Sequence, residues 1–176
     1  MLLDQIQQIV DEYGVETFTR AKARLTKDAQ RAIAELTPLS WIDAAVAKEL
    51  KDAVASEVGK HPLDFQRWVV RAAVGKTIHR FWRALLSRVW DSAIVKRAPI
   101  LYSKTFDRGH LEVTSFDDHS AEMVVVGWSE MPDYDAVGLA AGIEAVLEYS
   151  GRKHPRVRFE RREGGVTFLL AWQKAS

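Results

Sequence analysis

Apolar positions recur every three or four residues through the first hundred residues, then change to alternation and short apolar runs after Pro99. Leu2, Ile6, Ile9, Val10 and Tyr13 keep helical spacing up to Gly14, and Val15, Phe18, Ala21 and Leu25 continue it in a second short helix. Thr26 and Asp28 mark a fresh helix start. Ser40, followed three residues later by Asp43, reads as the N-cap of a helix with Ile42, Val46, Leu50 and Ala53 on one face, and Gly59 stops it. Pro62 suits the first turn of the next helix, where its missing N–H would have no partner. That helix is expected to be the longest, with the stripe Phe65, Trp68, Ala72, Gly75, His79, Trp82, Leu86 and Val89. A short helix starts at Asp91-Ser92 and ends before Pro99.

Beyond Pro99 the segments 101–106, 111–116 and 123–128 have strand composition, and Asp107-Arg108-Gly109 and Asp117-Asp118-His119 between them make good hairpin turns. Three antiparallel strands are expected there. Asp133 can cap a helix running to Gly151, whose Gly138, Ala141, Gly142 and Ala145 permit close approach to a sheet. A closing hairpin pairs 156–162 with 166–172 across Glu163-Gly164-Gly165. The order predicts a single α+β domain: a helical part, residues 1–98, packed on a C-terminal antiparallel sheet with one inserted helix, residues 99–176.

Composition narrows the partners. The 176 residues are 47% apolar, enough for one substantial core. Lysine plus arginine (25) balances aspartate plus glutamate (24), so the overall field draws neither nucleic acid nor anionic lipid. The absence of cysteine removes disulfides, thiolate nucleophiles and cysteine-based metal sites. No signal peptide opens the chain, and no apolar run reaches the roughly 18 residues needed for a span, so a cytoplasmic location is expected.

Catalytic signatures are missing: there is no Gly-x-Ser-x-Gly, phosphate-binding loop or Rossmann fingerprint, and no two histidines stand at i, i+3 or i, i+4. His79, on the apolar stripe, reads as a hydrogen-bonded core histidine, with a haem or metal ligand as the sharper alternative. His61, His110, His119 and His154 fall in turns or at element ends, where exposure is expected. Between Arg67 and Arg97 eight cations face only Asp91, but they flank the apolar stripe on both sides, which suits a solvated or interface face better than nucleic acid. Trp41, Trp68, Trp82, Trp90 and Trp128 come from elements that could converge, as core or as the lining of an apolar pocket.

Pro38-Leu39-Ser40-Trp41, the Arg/Trp-rich helix, Lys96-Arg97-Ala98-Pro99, Gly109-His110-Leu111-Glu112-Val113 and Gly138-Leu139-Ala140-Ala141-Gly142-Ile143 together resemble a large paralogous family of myxobacterial proteins with no settled function. The chain also resembles, more distantly, the haem-nitric-oxide/oxygen-binding (H-NOX) fold and the related 4-vinyl-reductase and TRAPP-subunit domains. The resemblance implies an H-NOX-like fold with a ligand pocket between the helical part and the sheet. It also argues against the usual haem chemistry. If Arg97-Ala98-Pro99 matches the Arg-Pro-Pro-like segment of the haem-binding relatives, the iron-ligand position falls near Leu86, which cannot coordinate. Their Tyr-x-Ser-x-Arg propionate motif has Gly127, Ser129 and Met131 as its counterpart.

The expected function is non-enzymatic: a haem-free H-NOX-like sensing or protein-interaction domain, with no cofactor, metal or catalytic residue. A small apolar ligand is expected at Trp68, His79, Trp82, Leu86, Tyr102 and Trp128, and a protein partner or a second copy of the chain would read its state. A purely scaffolding role, a haem-dependent gas sensor using His79 as iron ligand, an enzyme and a nucleic-acid binder are the competing classes.

Overall fold

The computed structural model describes residues 2–38, 40–81 and 91–173, with the side chains of 76–81 and 91–94 outside the description. Six helices and four strands are defined among them: α1 Leu2–Ala23, α2 Lys27–Ala34, α3 Ala44–Glu57, α4 Pro62–Phe81, α5 Asp91–Ser103, β1 His110–Phe116, β2 Ser120–Val126, α6 Asp133–Tyr149, β3 Lys153–Arg162 and β4 Gly165–Gln173. The architecture is α+β, as expected, and the chain divides into two compact units, Met1–Lys76 and Thr77–Ser176.

The first unit is helical. α1 runs through the expected break, but Gly14 sits at φ 83, ψ 157 and kinks it, a conformation that costs a glycine little. Thr26 caps α2 by accepting from the Ala29 N–H (3.3 Å), and its own N–H and hydroxyl donate to the Glu49 carboxylate of α3 (2.6 and 3.1 Å). One residue thereby starts a helix and ties it to another. Ser40 is not the cap of α3; Asp43 is, accepting from the Ala45 N–H at 2.8 Å. Ser40 instead closes the preceding turn, its hydroxyl accepting from the Thr37 N–H at 2.9 Å, so two short polar side chains three positions apart divide the work that a capping box would join. Arg20 of α1 and Arg24 just beyond its end grip Glu57 at the end of α3 (3.2 and 2.7 Å), and the Arg20 hydrogen bond is the foremost cause holding that carboxyl below its usual range. Ile9, Leu50, Val54, Phe65 and Val69 are fully buried in this unit. Trp41 is not: it is 70% exposed, which removes it from any converging tryptophan core.

The second unit holds a four-stranded antiparallel sheet in the order β1-β2-β4-β3. Only two strands, not three, precede α6. The segment expected as a first strand, 101–106, is the last turn of α5 and the loop after it, and the helix passes through Pro99 instead of stopping there. Val95, Ala98 and Tyr102 explain why: at i, i+3 and i+7 they form one face, with Val95 and Tyr102 buried and Ala98 packed against the core of the sheet. Burying that face outweighs the hydrogen bond that proline forfeits. Asp107-Arg108-Gly109 therefore links a helix to β1, and is no hairpin turn.

The other two turns stand as expected. Asp117 takes the Ser120 hydroxyl and the His119 and Ser120 N–H groups, each at 2.7 Å, and these bonds, the hydroxyl first, hold its carboxyl below the ordinary range. Glu163-Gly164 closes the last hairpin, with Gly164 at φ 84. α6 begins after an N-cap position held by Pro132, so Asp133 lies in the first turn, where its charge suits the helix N-terminus. Its buried Gly138, Ala140, Ala141 and Ala145 allow close packing, and Glu144 is buried with its carboxylate accepting the Val157 N–H of β3 at 3.0 Å. One face of the sheet, with Met123, Val125, Val166, Phe168 and Leu170, forms the core of this unit.

Candidate functional site

Two of the six expected ligand residues meet in the second unit. Tyr102, on the last turn of α5, stacks on Phe106 (centroids 4.9 Å apart), and Phe106 packs on Trp128 at 5.9 Å, in the loop after β2. Tyr102 is buried, whereas Phe106 and Trp128 are half-buried and pack against the core of this unit. The Tyr102 hydroxyl donates to the Arg108 carbonyl at 2.7 Å, which anchors the α5–β1 loop. Phe106 is the linking ring, and sequence reading missed it because it was assigned to a strand.

Burial, reinforced by the negative charges of Asp135 and Asp107, pushes the Tyr102 phenol up to about 12 from 10.0. The unfolded chain ionises first, so this contribution to stability is complete below pH 10 and is lost as pH rises from 10 toward 12. Unfolding stability followed from pH 8 upward is expected to fall across that window, and less steeply in Tyr102→Phe. Equal slopes in the two proteins would sink this assignment.

Trp68 lies in the first unit, half-buried on α4, against Tyr13 (5.2 Å, edge to face) and Phe65 (5.5 Å). Lys60 donates to the Tyr13 hydroxyl at 2.8 Å and holds its ammonium 5.4 Å from both the Tyr13 and Trp68 rings, a cation–π arrangement at the start of α4. His79 falls on α4, but its side chain lies outside the described residues, as do Trp82 and Leu86. His61, His110, His119 and His154 are exposed, as expected. No group of three or more histidine or acidic side chains could hold a metal ion among the described residues, and no described helix is long and apolar enough to cross a membrane.

The segment 127–133, which includes the positions matched above to a propionate-binding motif, is closed on itself. Gly127 turns the chain at φ 78, and Met131 is fully buried in the apolar core. Arg161 of β3 reaches across, donating to the carbonyls of Ser129 (3.4 Å) and Met131 (2.7 Å) and to the Asp133 carboxylate (2.5 Å). The local guanidinium is thus occupied by the loop itself. No sequence pattern marked Arg161, because its partners are two main-chain carbonyls and a helix start nearly thirty residues earlier. At positions 127, 129 and 131 there is no phenol and no guanidinium, so this donor set does not fit haem propionates.

No protein-family model matches the chain, and no curated protein does. Solved structures do. An unliganded Fe(II) H-NOX protein from K. algicida superposes with a TM-score of 0.75 at 11% identity, covering 98% of this chain and 95% of that one. An oxygen-binding H-NOX domain related to soluble guanylate cyclases, solved as its oxygen complex, gives 0.63 at 14%, covering 98% and 93%. A variant of the T. Tengcongensis H-NOX gives 0.64 at 15%, covering 99% and 96%. At such identities the likeness speaks for architecture alone, and on that measure the chain has the H-NOX fold.

Proposed function

We propose that the chain is a haem-free sensing or protein-interaction domain built on the H-NOX fold, acting without catalysis. The observation that supports this most directly is the 127–133 segment, which offers no phenol or guanidinium at positions 127, 129 and 131, buries Met131, and engages the nearby Arg161 with its own carbonyls and Asp133. Several structural neighbours are described as Fe(II) or oxygen-bound H-NOX proteins, so the fold is compatible with ligand sensing, but their haem is not carried over. A small apolar ligand is the input we favour: the half-buried rings of Phe106 and Trp128 offer it contact without any charge to satisfy. The response is read by a protein partner or by a second copy of the chain.

The test is a visible spectrum of the purified protein before and after hemin is added, together with its native and denatured masses. The expected spectrum has no Soret band that saturates at one haem per chain. A stoichiometric band abolished by His79→Ala would overturn the proposal in favour of a haem sensor. A colourless mass present only in the native spectrum would identify the ligand, and a bare polypeptide mass would favour the protein-interaction branch.

A further inference from the structure

The sheet face opposite the core carries a polar cleft that the sensing proposal does not use. On β3 this face presents Arg156, Arg158, Glu160 and Arg162, all exposed. Arg162 is neutralised, at 3.4 Å from Glu160 and 4.0 Å from Glu122. The side chains of Arg156 and Arg158 have no hydrogen bond or ion pair among the described residues. Two uncompensated guanidiniums side by side raise the local potential, although the whole chain is nearly neutral.

The backbone beside them is irregular. Lys153 pairs with Gln173 and Arg156 with Ala171, so His154 and Pro155 together oppose the single residue Trp172, a β-bulge. His154 adopts φ 53 and is the one non-glycine residue in the left-handed region among the described residues. Such a conformation persists only where the surroundings impose it, and bulges of this kind re-aim a side chain. Here a cleft of about 270 Å³ opens, lined by His154, Arg156, Ala171, Trp172 and Gln173. Its polar side chains are an imidazole, a guanidinium and a carboxamide, and among the described residues no carboxylate lines it. Protection of an edge strand would account for the bulge. It would not account for three donor-bearing side chains gathered around one concavity without an acid among the described lining residues.

We infer that this cleft binds the oxyanion group of a small ligand, a carboxylate or a phosphate, with Arg156 as the main donor and His154 and Gln173 completing the set. The planar fork of Arg156 suits two oxygens of either group, and the volume admits an oxyanion with only a few further atoms.

The test is a titration of the full chain with inorganic phosphate and, separately, with acetate, followed by amide chemical shifts, with sodium chloride at matched ionic strength as reference. Saturable shifts confined to residues 153–156 and 171–173 are expected with at least one of the anions, and the anion that saturates names the group. Arg156→Gln is expected to weaken binding by about tenfold, whereas Arg162→Gln, already paired, changes it by less than about twofold. Shifts that sodium chloride reproduces, or equal losses in the two variants, would overturn the inference. The same spectra report whether each variant remains folded.

Discussion

Phe168→Ala is expected to lower unfolding stability by about 3–5 kcal/mol, the cost of emptying a fully buried aromatic site that its surroundings cannot refill. Phe168 lies at the middle of β4, paired with Met123 of β2 on one side and Phe159 of β3 on the other. Its ring centroid is 6.0 Å from that of Phe159. Strands on both sides restrain the backbone, so collapse around the cavity is limited and the loss belongs toward the upper part of the range. For a chain of this size the melting temperature would drop by roughly 10 °C. Denaturant unfolding of the variant and the parent measures it. A loss below about 1 kcal/mol would mean that this side of the sheet is not the core described above.

Gly165→Ala is expected to cost about 3 kcal/mol or more, an unusual penalty for one methyl group. A Cβ at this position would overlap the main-chain carbonyl oxygen of Val125, an atom that cannot rotate away. Relief requires the start of β4 to move off β2, and with it the pairing of Gly165 with Val126 and of Val166 with Val125. The neighbouring Gly164→Ala is the internal comparison. Nothing lies within 4 Å of its Cβ direction, and its cost is only that of placing alanine at φ 84, about 1–2 kcal/mol. If Gly165→Ala proves no worse than Gly164→Ala, close strand approach is not what selects glycine at 165.

These two glycines show how far the sequence could be read. Glu163-Gly164-Gly165 between two apolar runs announced a turn, and the turn is there, but the steric reason for the second glycine depends on β2, which no local pattern reveals. The same boundary separates the other successes and failures. Gly59, Pro62, the start of α2 and the last hairpin rest on local chemistry and were legible. The run after Pro99 was misread because leucine, tyrosine, threonine and phenylalanine have strand-like composition, and only the face formed by Val95, Ala98 and Tyr102 against the sheet carries the helix on to Ser103, with Thr105 and Phe106 in the loop beyond. Of the expected ligand residues, Tyr102 and Trp128 do share a cluster, through a phenylalanine that was not named. Trp68 packs with Tyr13, whose helix precedes α4 by two others, a partnership that spacing along one helix could not supply. Arg161 escaped notice because main-chain carbonyls leave no mark in a sequence.

The strand order β1-β2-β4-β3 also governs the path by which the sheet is assembled. The β1–β2 and β3–β4 hairpins join neighbours across short turns and can form within microseconds, independently of each other. The central β2–β4 seam cannot, because all of α6 and β3 lie between its strands in the chain, and closing that loop costs entropy before any contact repays it. Docking of the two hairpins, with α6 as the bridge, is therefore expected to be the slow event in refolding. Gly165 stands at one end of that seam, so a side chain there would retard refolding as well as weaken the finished sheet.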